Sequence, residues 1–190
     1  MGAEQEMIDR LRSGDGSALR QLMERYGNEV LRTAVLLLRD RHLAEDVSQD
    51  VFIDAYRKIN QLKADRSLRA WLIAMTINRC RERMRRASWK RLLFRERMEE
   101  EAGAAIGPGS EGWAVSATIQ SIIMALPLRY REVIVLHYYQ DMAIADIADT
   151  LDEPEGTIKS KLQRGRKLLK ASLEEGGWRD EPLFEGRSNS

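Results

Sequence analysis

The chain has 190 residues, enough for one ordinary domain or two small ones with modest cores. One cysteine, Cys80, excludes an internal disulfide, and two distant histidines, His42 and His137, give no zinc-ligand spacing, so neither metal nor cofactor is expected. Charged residues make up 32% of the chain but nearly cancel to a net +1, so whether a polyanion is bound depends on where the charges lie.

The opening, MGAEQEMIDRLRSGDG, is acidic and lacks the basic start and apolar core of a signal peptide. The longest aliphatic run, Ala34 to Leu38, is far shorter than the ~20 residues that cross a bilayer. A reducing cytoplasm is the expected compartment.

Apolar residues then recur at helical spacing, and no stretch alternates for long with the two-residue period of a strand. The pattern predicts an all-α protein. A helix is predicted over Ser17 to Arg39, carrying Leu19, Leu22, Tyr26, Val30 and Ala34 on one stripe, and another over Leu43 to Ile59 through Val47, Val51 and Ala55. Asn60 to Ser67 reads as a loop, and Leu68 to Met84 resumes the helical pattern through Trp71, Leu72 and Cys80. The segment Glu99 to Gly112 is rich in Glu and Gly and poor in large apolar residues, so it is the expected domain boundary. Beyond it, helices are predicted over Ile119 to Ala125, Arg129 to Tyr139, Ala143 to Leu151 and Glu155 to Leu173. The tail from Gly176 is expected to be loose.

Two basic blocks stand out. From Thr157 to Lys170 there are six Lys or Arg and no acid. On a helical wheel, at about 100° per residue, Ile158, Leu162, Gly165 and Leu169 fall in one sector, with Lys159, Ser160, Gln163, Arg164, Lys167 and Lys170 opposite. The preceding short helix and the turn Asp152–Pro154, with Pro154 suited to the first helical position and Asp152 or Glu153 to the cap, complete a helix-turn-helix outline. Such a helix fits a DNA major groove, where Arg and Gln pair with base edges and Lys with phosphate. The bland alternative is a hydrated surface helix.

The other block, Arg79 to Arg97, holds nine Lys or Arg against two Glu and follows Trp71 and Asn78. An aromatic ring, an amide and the cations Arg79, Arg83 and Arg86 would suit unstacked bases in a separated strand. Equally, Trp71 could be a core anchor under a solvated basic face. Asp46, Gln49 and Asp50 lie on adjoining turns of one helix and read better as a protein-contact face than as a catalytic pair, since no pocket or orienting partner is evident.

Three stretches in order, AEDVSQDVFIDAYRKI, LRAWLIAMTINRCRERMRR and ALPLRYREVIVLHYYQDMAIADIADTLDEPEGTIKSKLQRGRKLL, resemble the extracytoplasmic-function (ECF) class of bacterial RNA polymerase sigma factors. The resemblance implies region 2 over residues 1–97, a flexible linker over 98–113, region 4 over 114–175 and a tail over 176–190. It implies a non-enzymatic initiation factor that binds core RNA polymerase and promoter DNA and is controlled by an anti-sigma factor, often membrane-bound. By position, Asp46, Gln49, Asp50 and Phe52 would bind core polymerase. Lys63, Asp65, Arg66, Trp71, Asn78, Arg79 and Arg83 would bind the minus-10 element, and Thr157, Lys159, Ser160, Gln163, Arg164 and Lys167 the minus-35 element. The chain departs from the class at Leu68, where an aromatic residue is frequent, at Glu82 in place of Asp, and at Gly165 in place of Ala. On helix propensity alone, Gly165 should cost roughly 1 kcal/mol. The rival readings are a stand-alone helix-turn-helix regulator and a protein-interaction adaptor.

Overall fold

The computed structural model describes residues 2–63, 66–94 and 114–175, and the chain divides into two compact units, residues 1–110 and 111–190. The expected linker over 98–113 and the tail over 176–190 lie outside the described residues. All regular structure among the described residues is helical.

The first unit contains α1 (Ala3–Arg12), α2 (Gly16–Leu38), α3 (Arg41–Lys58), a single 3-10 turn (Ile59–Gln61) and α4 (Leu68–Phe94). α2, α3 and α4 pack mutually around Leu22, Val30, Leu37, Val47, Val51, Leu72, Ile73 and Ile77, all buried. The predicted stripes supply these residues because positions three and four apart share a face. The α2–α3 corner is two residues long. Arg39 ends α2 in the left-handed conformation (φ 61°), and the Asp40 side chain caps α3 by accepting from the Leu43 N–H at 3.0 Å. That cap starts α3 at Arg41, two residues before the periodic apolar pattern begins.

α1 is an element the sequence pattern did not single out. Its buried face is only Met7, Ile8 and Leu11, set among acids in its first turn and arginines in its last. That charge order complements the helix dipole. Arg10 then bridges to the start of α2, donating to Asp15 at 2.9 Å, Gln21 at 2.9 Å and Ser17 at 2.6 Å. Asp15 caps α2, and hydrogen bonds from the Ser17 hydroxyl and N–H, with Arg10 beside it, hold its carboxyl down at about 2.

The second unit contains α5 (Ala114–Ala125), α6 (Leu128–Ile134), a π turn (Val135–Tyr139), α7 (Ile144–Leu151) and α8 (Glu155–Glu175). The helix predicted over 129–139 runs without interruption from Leu128 and widens into the π turn over its last residues. The Gln140 N–H reaches back to the Val135 carbonyl at 2.9 Å, and Gln140 itself is fully buried. Asp141 follows in the left-handed conformation and redirects the chain into α7.

Around Pro154 the expected capping is corrected. Asp152 ends α7 in the left-handed conformation (φ 55°), so it caps the helix before the turn and not the one after. Pro154 lies one residue before α8, and its carbonyl accepts from the Thr157 and Ile158 N–H groups at 2.9 and 3.2 Å. Glu153 pairs with Lys161 at 2.6 Å, tying the turn to the following helix. α8 packs on α6 and α7 and buries Ile158, Leu162, Gly165 and Leu169.

Gly165 has a packing reason that propensity does not see. A Cβ there would lie 3.0 Å from Ile134 Cγ1 and 3.2 Å from its Cδ1, and Ile134 is buried. Overfilling such a contact costs about 1–3 kcal/mol, which at mid-range exceeds the ~1 kcal/mol of helix propensity that alanine would add. Gly165→Ala should therefore destabilise the second unit by about 1 kcal/mol in chemical denaturation. Combined with Ile134→Ala, it should cost less than the sum of the two single changes, because the second change vacates the space.

Candidate nucleic-acid and polymerase interfaces

In the second unit the wheel separation holds in three dimensions. Lys159, Ser160, Gln163, Arg164 and Lys167 are exposed on α8, and Thr157 is half-buried at its first turn. Lys159 makes an ion pair with Glu155 at 3.4 Å, and the Ser160 hydroxyl donates to the Thr157 carbonyl at 2.9 Å. Both belong to the helix itself, so the face remains open to an outside partner. Lys161 lies on the flank, where Glu153 neutralises it. Thus α8 offers an amide, a guanidinium and ammonium groups on a rigid, one-sided cylinder, backed by a short helix and a tight turn. This arrangement can place paired donors against base edges while lysines meet phosphates.

In the first unit, Asp46, Gln49 and Asp50 are exposed along α3. Phe52 is not with them. It is 3% exposed and packs in the core, so its expected place on the polymerase-contact face is corrected. Ile53, four residues after Gln49, is the residue that extends the stripe, and it is 46% exposed. An exposed isoleucine one residue from a buried phenylalanine is visible in the pattern only if the 46–49–50–53 row is followed rather than the largest side chain.

The α4 residues sit differently from the simple cationic track expected. Arg79 donates to Asp54 and, at 3.0 Å, to Glu82. Donating this hydrogen bond to Asp54 raises the guanidinium pKa, and Asp54 itself is largely buried. Arg83 donates to Asp46 at 3.0 Å and Arg86 to Glu82 at 2.6 Å. Arg79, Arg83 and Arg86 are therefore each balanced inside the unit, and Arg79 is held as an oriented planar group. Sequence reading could not find Asp54, because a buried acid on α3 becomes meaningful only when α4 brings Arg79 to it.

Trp71 is half-buried and is not the core anchor of α4; Leu68, Leu72, Ile73 and Ile77 fill that role. Trp71, Met75, Asn78 and Arg79 line one side of a pocket of about 370 Å³, with Asp54 and Lys58 on the other. An indole, an amide and a fixed guanidinium around a cavity of this size can stack on and hydrogen-bond to a single flat heterocycle. Lys63 is exposed and Arg66 half-buried in the adjoining loop. Asp65 lies outside the described residues. Among the described residues, no helix is long and apolar enough to cross a membrane.

Comparison with known proteins adds the family. Residues 22–90 match the family described as Sigma-70 region 2, and residues 116–169 match Sigma-70, region 4. The chain is 31% identical over 157 residues to the ECF RNA polymerase sigma factor SigM of Mycobacterium tuberculosis (strain Erdman), covering 83% of this chain and 78% of that protein. It is 29% identical over 176 residues to the ECF RNA polymerase sigma factor SigW of Bacillus subtilis, covering 87% of this chain and 94% of that protein. Among solved structures it resembles CnrH in complex with the cytosolic domain of CnrY, with TM-score 0.66, 26% identity, and coverage of 92% and 99%. The fold is also that of the sigma factor RpoE in complex with the anti-sigma factor NepR from Bartonella quintana, with TM-score 0.70, 24% identity, and coverage of 82% and 96%.

Proposed function

Because the chain belongs to the ECF family of RNA polymerase sigma factors, we propose that its two units divide initiation between core binding with strand capture and duplex reading. As a sigma factor it binds core RNA polymerase and directs it to promoters with minus-10 and minus-35 elements. Residues 1–97 serve as region 2 and 114–175 as region 4, with 98–113 as the joining linker and 176–190 as a tail. RNA synthesis belongs to the polymerase, and the chain works where polymerase and promoter DNA are, in the cytoplasm.

The exposed row Asp46, Gln49, Asp50 and Ile53 on α3 binds the core enzyme. Three polar or acidic groups with one aliphatic side chain suit a basic helical surface with a small apolar seat. Trp71 and Asn78, with the loop residues Lys63, Asp65 and Arg66, take an unstacked minus-10 base into the pocket, and Arg79 and Arg83 border the strand. Asp54 fixes Arg79 so that its plane is already set when the base arrives, which lowers the ordering cost of binding.

The observation that carries this reading is the one-sided α8. Thr157, Lys159, Ser160, Gln163, Arg164 and Lys167 read or clamp the minus-35 major groove. Control by an anti-sigma factor that covers the DNA-binding faces belongs to the same reading. The complex of the similar CnrH with the cytosolic domain of CnrY supports it. Co-purification with core polymerase tests the reading against a stand-alone helix-turn-helix regulator. A one-to-one complex is expected, and a dimer that binds DNA without core enzyme would contradict it.

A further inference from the structure

We infer that α1 is a positioning element for the loop between the 3-10 turn and α4, with Glu4 and Arg12 as the residues that hold its two ends. Arg12 donates from its guanidinium to the Leu62 carbonyl at 3.3 Å, and Glu4 accepts from the Leu68 N–H at 3.0 Å. These contacts cross 50 and 64 residues of sequence, and they fall on either side of Lys63, Arg66 and Ser67.

The chemistry makes both ends dependent on α1. The first N–H groups of a helix have no partner within it. At the start of α4 the Ser67 hydroxyl accepts from the Ala70 N–H at 3.1 Å, while the Leu68 N–H is met by Glu4 from a different helix. A carboxylate at this point also complements the positive end of the α4 dipole. Glu4 is anchored in turn, since the Tyr26 hydroxyl lies 3.5 Å from its other oxygen. Met7, Ile8 and Leu11 bury the helix that carries both residues, and Leu62 and Leu68 are themselves buried. With Leu62 and Leu68 anchored, the neighbouring Lys63, Arg66 and Ser67 have less freedom to lose when they meet a ligand. The benefit falls on discrimination between bases, because contact residues next to fixed anchor points reject those that do not fit.

This inference rests on the reading that the loop contacts the minus-10 element. Full-length Glu4→Ala and Glu4→Gln proteins, assembled with core polymerase, are compared on a promoter panel with each minus-10 base changed singly. Glu4→Ala should lower the preference for the best minus-10 sequence by about fivefold, the scale of a lost helix cap. Core affinity and minus-35 preference should stay unchanged. Glu4→Gln keeps an acceptor oxygen and should retain the preference to within about twofold. Amide hydrogen exchange at Leu68 should accelerate in Glu4→Ala while exchange in the α2 core does not.

Unchanged base preference in Glu4→Ala, or an equal loss of transcription at every promoter in the panel, would overturn the positioning role. So would unchanged Leu68 exchange. If the unaltered protein showed no minus-10 preference at all, the loop's assignment would fall instead, and the Leu68 exchange result would still decide whether Glu4 holds the loop end.

Discussion

Asp50→Arg is expected to weaken binding of core polymerase by about 100-fold, the scale of ~3 kcal/mol for reversing one partner of a desolvated interfacial charge pair. The residue is exposed on α3 between Gln49 and Ile53, so the change should leave the melting temperature nearly unaltered. Asp46→Ala should weaken binding less, because Asp46 already shares its charge with Arg83 at 3.0 Å. Phe52→Ala gives the contrasting case. As a core residue it should cost about 3–5 kcal/mol of stability, and any loss of polymerase binding should track unfolding. Titration of fluorescent protein with core enzyme, alongside thermal melts, separates the two. Loss of binding in Phe52→Ala at full stability would return Phe52 to the interface.

Gln163→Ala and Arg164→Ala should each change which minus-35 sequence is preferred, at a cost of ~1–3 kcal/mol for every good base contact removed. Lys167→Ala should weaken binding about equally on all sequences and reduce the salt slope by roughly one phosphate contact. The distinction follows from chemistry on one helix face. Amide and guanidinium groups can pair with base edges, whereas an ammonium group acts as a point charge on the backbone. Binding of the assembled polymerase to minus-35 variants at several salt concentrations measures both quantities. A uniform, sequence-independent loss from all three substitutions would contradict base reading by α8.

Where one helix face alone determines the outcome, the sequence was sufficient. Ile158, Leu162, Gly165 and Leu169 could be separated from Gln163, Arg164 and Lys167 on a wheel because 3.6-residue periodicity operates within a single element. Features that require two elements were not legible. The buried Asp54 that orients Arg79, the Asp46–Arg83 pair and the Glu4 contact with Leu68 join residues 25, 37 and 64 positions apart, and no local pattern encodes such meetings. The charge run in α4 is less cationic than it reads partly for the same reason, since Asp54 and Asp46 on α3, together with Glu82 on α4 itself, pair with Arg79, Arg83 and Arg86. α1 escaped notice because three apolar residues are too few for a periodic signal. Gly165 shows the converse case. Its propensity cost was visible in the sequence, and its cause, Ile134 at 3.0 Å from where a Cβ would stand, was not.

Run-off transcription with purified core polymerase over a library of genomic promoters tests the central claim most directly. Addition of the protein should produce transcripts from a small promoter set sharing one minus-35 and one minus-10 sequence, and Asp50→Arg should abolish them. Absence of any promoter-dependent transcript with folded protein, or transcription that ignores both elements, would contradict it.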